Sequence, residues 1–200
     1  SGQSCIAAKR FIVHDAVYDD WLAAFLAAMG ALAVGDPTSE GTQVGPLART
    51  DLRDELHNQV EESVAAGAGI ALGGELPKGP GAFYPPTVLV DVAPGMPAYD
   101  DELFGPVAAV IRVGSEEEAV AGANDTRFGL GAAVFTRDTA RGERLAATQL
   151  EAGTCVVNTF VASDPRLPFG GIKASGFGRE LSDLGSREFV NQKTVIVNQG

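Results

Sequence analysis

The sequence predicts an α/β domain with a mostly parallel sheet covered on both faces. Strand-like and helix-like stretches alternate along all 200 residues. Helical stretches of about a dozen residues between strands are what parallel crossovers use. The strand-like run 107–113 is nearly continuous in apolar residues, as a strand buried on both faces requires. Hydrophobic residues make up 45% of the chain, enough at this length to bury a sizeable core.

Phe11, Ile12 and Val13 predict a short buried strand. Trp21, Leu22, Phe25, Leu26 and Met29 recur at helical spacing, which predicts a helix over 16–33 with one apolar face. Gly35-Asp36-Pro37 stops it, and a polar loop runs to Gly45-Pro46. Thr50 is the expected N-cap of a helix over 51–66, with Leu52, Leu56, Val60 and Val64 on one side. A strand over 70–72 ends at Gly73-Gly74. A Pro/Gly-rich loop (77–86) leads into a strand over 87–90, and a loop over 93–105 precedes the strand 107–113. Ser115 and Glu118 have the spacing of a capping box and open a helix to about Asn124. A strand over 132–135, a helix over 138–151 and a strand over 154–157 complete the alternation. The glycine-rich loop 159–180 then occupies the place, beyond a strand's carboxyl end, where α/β sheets gather ligands. Residues 194–197 carry a strong strand signal, open to pairing within the domain or in another subunit.

The formal charge of −11 and a sequence pI near 4.5 speak against binding nucleic acid or anionic lipid. The most apolar stretch, 21–34, is too short to span a bilayer. Cys5 and Cys155 stand too far apart for a paired zinc motif or a disulfide framework. With His14 and His57 the only histidines, no metal centre is expected. A reducing, cytoplasmic setting is the expectation. The opening lacks the pattern of a secretory signal. A thiol at the fifth position, with no leader before it, leads us to expect that an upstream segment has been cut away.

Three loops carry the candidate chemistry. Gly2-Gln3-Ser4-Cys5 sets a thiol among small residues, where its sulfur can be exposed and a substrate can approach the backbone. Read alone, such a thiol is more often a packed structural cysteine. In Asp101-Glu102-Leu103-Phe104-Gly105-Pro106 a carboxylate can accept bonds from sugar hydroxyls and an aromatic can pack on a flat ring. Read alone, it is a solvated acidic turn. The stretch from Pro168 to Glu180 holds four glycines in nine residues (Gly170, Gly171, Gly176, Gly178), so its backbone is shaped by tight turns. It is not a dinucleotide fingerprint, because it lacks the preceding strand and the spacing.

Together, Gly2-Gln3-Ser4-Cys5, Glu102-Leu103-Phe104-Gly105-Pro106 and Pro168-Phe169-Gly170-Gly171 with the Lys173, Ser175, Gly176, Gly178, Arg179 and Glu180 that follow closely resemble the NAD(P)-dependent aldehyde dehydrogenase superfamily. The resemblance covers essentially the whole chain. It implies a three-layer catalytic domain over 1–185 and an oligomerisation arm over 186–200 whose strand joins a neighbouring subunit's sheet. It implies that Cys5 is the catalytic thiol, that Glu102 binds the ribose beside the nicotinamide, and that Phe104 lies against the nicotinamide. Phe169 would help wall the aldehyde pocket.

Within the superfamily the chain looks most like the succinate-semialdehyde dehydrogenases, on the stretches 3–12, 83–88 and 177–182. Ser163 stands where those enzymes hold the substrate's distal carboxylate, a task suited to a hydroxyl donor. Some relatives carry a second cysteine two residues after the nucleophile as a redox switch; here that position is Ala7, so no switch is expected.

The family mechanism implies a thiohemiacetal and then a thioester on Cys5, with an oxyanion held by hydrogen-bond donors. The cofactor is NAD or NADP, and the parent is expected to be a homodimer or homotetramer acting on a small aldehyde. The family's asparagine donor, its glutamate base and its dinucleotide-binding domain precede the thiol, so all three are absent from these 200 residues. The chain alone is therefore expected not to produce NAD(P)H from succinate semialdehyde. A different class of reading is a non-catalytic interaction or structural module assembled through the arm. A Cys–His protease competes as an enzyme class, but neither histidine has a spacing that ties it to Cys5. Cys155 is expected to be a core residue, and Lys173 and Arg179 to order their loop.

Overall fold

In the computed structural model, which describes residues 1–200, strands and helices alternate as the pattern predicts. The order is β1 (Arg10–His14), α1 (Asp15–Gly30), α2 (Thr50–Ala65), β2 (Gly69–Leu72), β3 (Thr87–Val90), α3 (Pro97–Asp100), β4 (Val107–Val113), α4 (Glu116–Asn124), β5 (Gly131–Val134), α5 (Thr139–Thr148), β6 (Thr154–Val157) and α6 (Ser182–Arg187). The chain divides into two compact units, Ser1–Asp125 and Thr126–Gly200.

In the first unit the sheet order is β1-β4-β3-β2. β4 pairs in parallel with β1, Arg10 opposite Ala109, and with β3, Thr87 opposite Val107. β2 joins β3 antiparallel, with a register shift between Ile70 and Leu72. β4 is apolar throughout its centre because both of its faces are covered. Val107, Ala109, Ile111 and Val113 point to one core, with Leu56 and Val60 of α2 and Ala98 and Tyr99 of α3. Ala108 and Val110 point to the other, where the stripe Trp21, Leu22, Phe25, Leu26 and Met29 of α1 packs. Helices on both faces of a mostly parallel sheet make this unit a three-layer α/β structure. Each fully buried side chain of the Leu56 and Val60 kind contributes roughly 1.5–3 kcal/mol through burial.

Several boundaries differ from expectation for local reasons. α1 ends at Gly30 rather than near residue 33 because the Ala33 carbonyl accepts bonds from the Gln43 and Val44 amides, tying it to the following loop. Thr50 is the first helical residue of α2 and not its cap; the cap position is Arg49, in extended conformation and without a capping side chain. α5 is shorter than 138–151, since Asp138 is its cap, accepting from the Arg141 amide at 3.0 Å. The short α3 lies within the expected loop 93–105, and α6 follows the loop 159–180, where the sequence predicts no element.

The second unit holds the parallel pair β5-β6, with Gly131 opposite Thr154. After β6 the backbone is irregular apart from a 3-10 turn at Lys173–Ser175 and α6. Residues 194–197 pair with no strand of this chain, and Val195, Ile196 and Val197 are exposed.

Candidate active site

Cys5 lies at the amino end of β1, in a turn closed by the Ala7 amide donating to the Ser4 carbonyl at 3.0 Å. Its thiol is exposed. Two upstream side chains anchor the turn: Gln3 Oε1 accepts from the Ala48 amide at 2.9 Å, and Ser1 Oγ donates to the Gly45 carbonyl at 3.0 Å.

Glu102 and Phe104 lie at the amino end of the neighbouring strand β4. Between them Leu103 is fully buried, and this inward anchor leaves Glu102 half-exposed and Phe104 exposed on the outer side. The loop is pinned at both ends. The Asp101 amide donates to Pro97 as α3 closes, and the Pro106 carbonyl accepts from Thr87 at 2.9 Å.

The two loops meet backbone to backbone. Gly2 has φ +71°, and a Cβ there would collide with the Gly105 carbonyl. Only a residue without a side chain permits this approach in that conformation. Beside the contact, Gln3, Glu102 and Phe104 line a groove with Leu52, Glu55, Leu56 and Gln59 of α2. The parallel pairing of β1 and β4 explains the convergence, since it brings their amino ends side by side. Ligand loops in open α/β sheets usually follow the carboxyl ends of strands; these two loops stand at the opposite end.

One participant was missed in the sequence. Lys9, half-buried at the start of β1, donates from Nζ to the Gly2 carbonyl at 2.6 Å and to the Ser4 carbonyl at 3.4 Å. Its ammonium also sits 4.8 Å from the centre of the Phe104 ring. Burial pushes its pKa down, while the nearby Glu102 carboxylate and Cys5 thiol oppose that shift. The available signal was its position four residues after the thiol, from which the turn folds it back over the loop.

Ser163 and Phe169 belong to the second unit, on the 159–180 loop. Ser163 is exposed, whereas Phe169 is buried and exchanges two backbone hydrogen bonds with Glu180, at 2.9 and 2.7 Å. Lys173 pairs with Glu151 at 2.8 Å, and Arg179 donates to the carbonyls of Gly171 and Gly178 at 3.1 and 2.6 Å. These contacts order the loop, as expected of both residues.

The second thiol is different. Cys155, on β6, is half-buried, and burial pushes its pKa up. His14 accepts from the Ala16 amide at 3.1 Å as the N-cap of α1, and His57 contacts Tyr84 Oη at 3.2 Å and Glu61 at 3.5 Å. Both rings are engaged away from Cys5, so the structure gives the Cys–His protease reading no support. No three His, Cys, Asp or Glu residues are grouped to hold a metal ion, and no helix is long and apolar enough to cross a membrane.

An exposed thiol on a loop that meets a carboxylate–aromatic loop at Gly2 and Gly105, on a three-layer α/β unit, defines the class to which comparison with known proteins also leads. Residues 1–195 match the model of the aldehyde dehydrogenase family, and the chain belongs to that family. It is 53% identical over 197 residues to succinate-semialdehyde dehydrogenase [NADP(+)] 1 of Mycobacterium tuberculosis, covering 98% of this chain and 43% of the relative. It is 50% identical to the succinate semialdehyde dehydrogenase [NAD(P)+] Sad of Escherichia coli, covering 98% and 42% respectively. Among solved structures it superposes with a TM-score of 0.94 on the succinic semialdehyde dehydrogenase of Streptococcus pyogenes in complex with NADP+, at 38% identity, covering 98% of this chain and 43% of that one. It gives the same TM-score with a Mycobacterium tuberculosis aldehyde dehydrogenase complexed with NAD+, at 37% identity, covering 100% and 41%. The chain thus spans less than half the length of these relatives.

Proposed function

We propose that these residues supply the nucleophile and part of the cofactor site for NAD(P)-dependent oxidation of an aldehyde to its carboxylic acid, with succinate semialdehyde as the substrate. The observation that carries this reading is the exposed Cys5 thiol on a loop held, at Gly2 and Gly105, against the loop of Glu102 and Phe104. The names of the relatives above support the choice of aldehyde.

The chemistry follows from the residues. The Cys5 thiolate adds to the aldehyde carbon, forming a thiohemiacetal, and the Cys5 backbone N–H is placed on the same residue to donate to the new oxyanion. Loss of hydride from that carbon leaves a thioester on Cys5, which water hydrolyses. A nicotinamide cofactor supplies the hydride acceptor when bound. The groove fits one end of such a group: Glu102 offers a carboxylate to ribose hydroxyls, and the exposed Phe104 ring offers a flat apolar face. Ser163 is assigned to the distal carboxylate of the substrate and Phe169 to the wall of the aldehyde pocket. The exposed Val195, Ile196 and Val197 support an arm that pairs with a second copy in a homodimer or homotetramer, because an exposed apolar segment with a strand pattern is covered by pairing with a sheet edge. A free exposed thiol suits a reducing, cytoplasmic setting.

Incubation with a thiol-reactive aldehyde analogue, followed by mass spectrometry of the peptides, tests the assignment. Selective modification of Cys5 over Cys155 is expected. Equal modification of the two thiols, or none at Cys5, would overturn the nucleophile assignment and favour a structural module.

A further inference from the structure

We propose that Lys9 is a positioning residue for the nucleophile, tying the Cys5 turn to Phe104 and holding one positive charge beside the thiol. This rests on the reading of Cys5 as the nucleophile.

Three contacts made by one ammonium carry the proposal. Its bond to the Gly2 carbonyl grips the residue at which the nucleophile loop touches Gly105. The longer contact to Ser4 grips the residue that precedes the thiol. The third contact is with the ring of Phe104, on the other loop. A cation over an aromatic face is attracted to it, and more strongly when partly desolvated. One side chain therefore spans both loops, on the side where Phe104 is assigned to the nicotinamide. Glu102 and Cys5 both lie near enough to interact with it electrostatically. Without Lys9, the Gly2 and Ser4 carbonyls would lose their shared donor, and the ammonium near Cys5 and Glu102 would be gone.

The test compares alkylation of Cys5 by neutral iodoacetamide and by anionic iodoacetate, read on the Cys5 peptide of the 200-residue chain. A positive charge beside the thiol favours the anion, so Lys9→Met is expected to lower the iodoacetate-to-iodoacetamide rate ratio about threefold at low salt. High salt should shrink that difference through screening. Lys9→Arg keeps a charge that binds carbonyls and stacks on aromatics, and is expected to restore the ratio. Should Lys9→Met fail to fold by circular dichroism, Lys9→Gln makes the same comparison. An unchanged ratio in the neutral variant, with Cys5 still selectively labelled, would overturn the role of Lys9 alone. An equal fall in the neutral variants and Lys9→Arg would reduce it to packing and overturn it likewise. Equal labelling of Cys5 and Cys155 in the unmodified chain would bring down the nucleophile reading, and this proposal with it.

Discussion

Cys5 and Cys155 carry the same thiol into opposite surroundings. One is exposed on a turn within reach of an ammonium, while the other is half-buried in β6 with its ionisation opposed by desolvation. Thiolate chemistry follows such differences rather than residue type. The turn that exposes Cys5 depends on Gly2, because its positive φ and its contact with the Gly105 carbonyl both exclude a side chain. Gly2→Ala is therefore expected to destabilise the chain by roughly 1–3 kcal/mol in urea unfolding. Wild-type stability in that variant would show that the two loops are not held together there. At this scale the sequence was partly legible. Cys5, Glu102 and Phe104 stood out because small residues, a carboxylate and an aromatic sit in recognisable loops. Lys9 did not, since its place four residues after the thiol does not by itself show that the side chain folds back onto residues two and four.

The elements were legible where a single local interaction defines them. Ser115 caps α4 by accepting from the Glu118 amide at 3.1 Å, and Glu118 returns a bond to the Gly114 amide at 2.7 Å. Thr50 looked equivalent in sequence but caps nothing, since Arg49 occupies the extended cap position of α2. The two sites give a paired test. Ser115→Ala is expected to lose about 1 kcal/mol of stability, whereas Thr50→Ala should fall well short of that loss. Equal losses in urea unfolding would mean that the distinction between the two helix starts has no energetic content. The strands 87–90, 107–113 and 154–157 match their expected bounds because burial writes itself into apolar runs. α3 and α6 were not legible. Four and six residues are too few to show a helical period, and α3 is held by tertiary contact, its Ala98 amide donating to the buried Ser63 Oγ at 2.9 Å. The unpaired 194–197 segment is the converse case, a strand pattern without a partner edge in its own chain.

At the scale of the whole molecule, the chain is strongly acidic, with 26 Asp and Glu against 15 Lys and Arg. Rising pH adds to that negative charge in the folded and unfolded states alike, so a general loss of alkaline stability identifies no residue. Tyr84 gives a specific one. It is 1% exposed, packed in the core beside α2, and its hydroxyl contacts His57. Burial, reinforced by the Glu61 carboxylate, pushes its phenol from the ordinary 10.0 up to about 12. With the folded value raised, the unfolded chain releases this proton first. The contribution of Tyr84 to stability is full below pH 10 and is lost as pH climbs toward 12. Each pH unit inside that window is worth at most about 1.4 kcal/mol. Urea unfolding of the wild type and of Tyr84→Phe, at pH 9 and again at about pH 11.5, isolates the effect. The phenylalanine variant experiences the same general charge but has no phenol to ionise. The stability difference between the two chains is expected to move by about 2 kcal/mol in favour of the variant across this range. A difference that stays constant would show that Tyr84 ionises alike in the folded and unfolded chains, and that the core beside α2 is open to water at high pH.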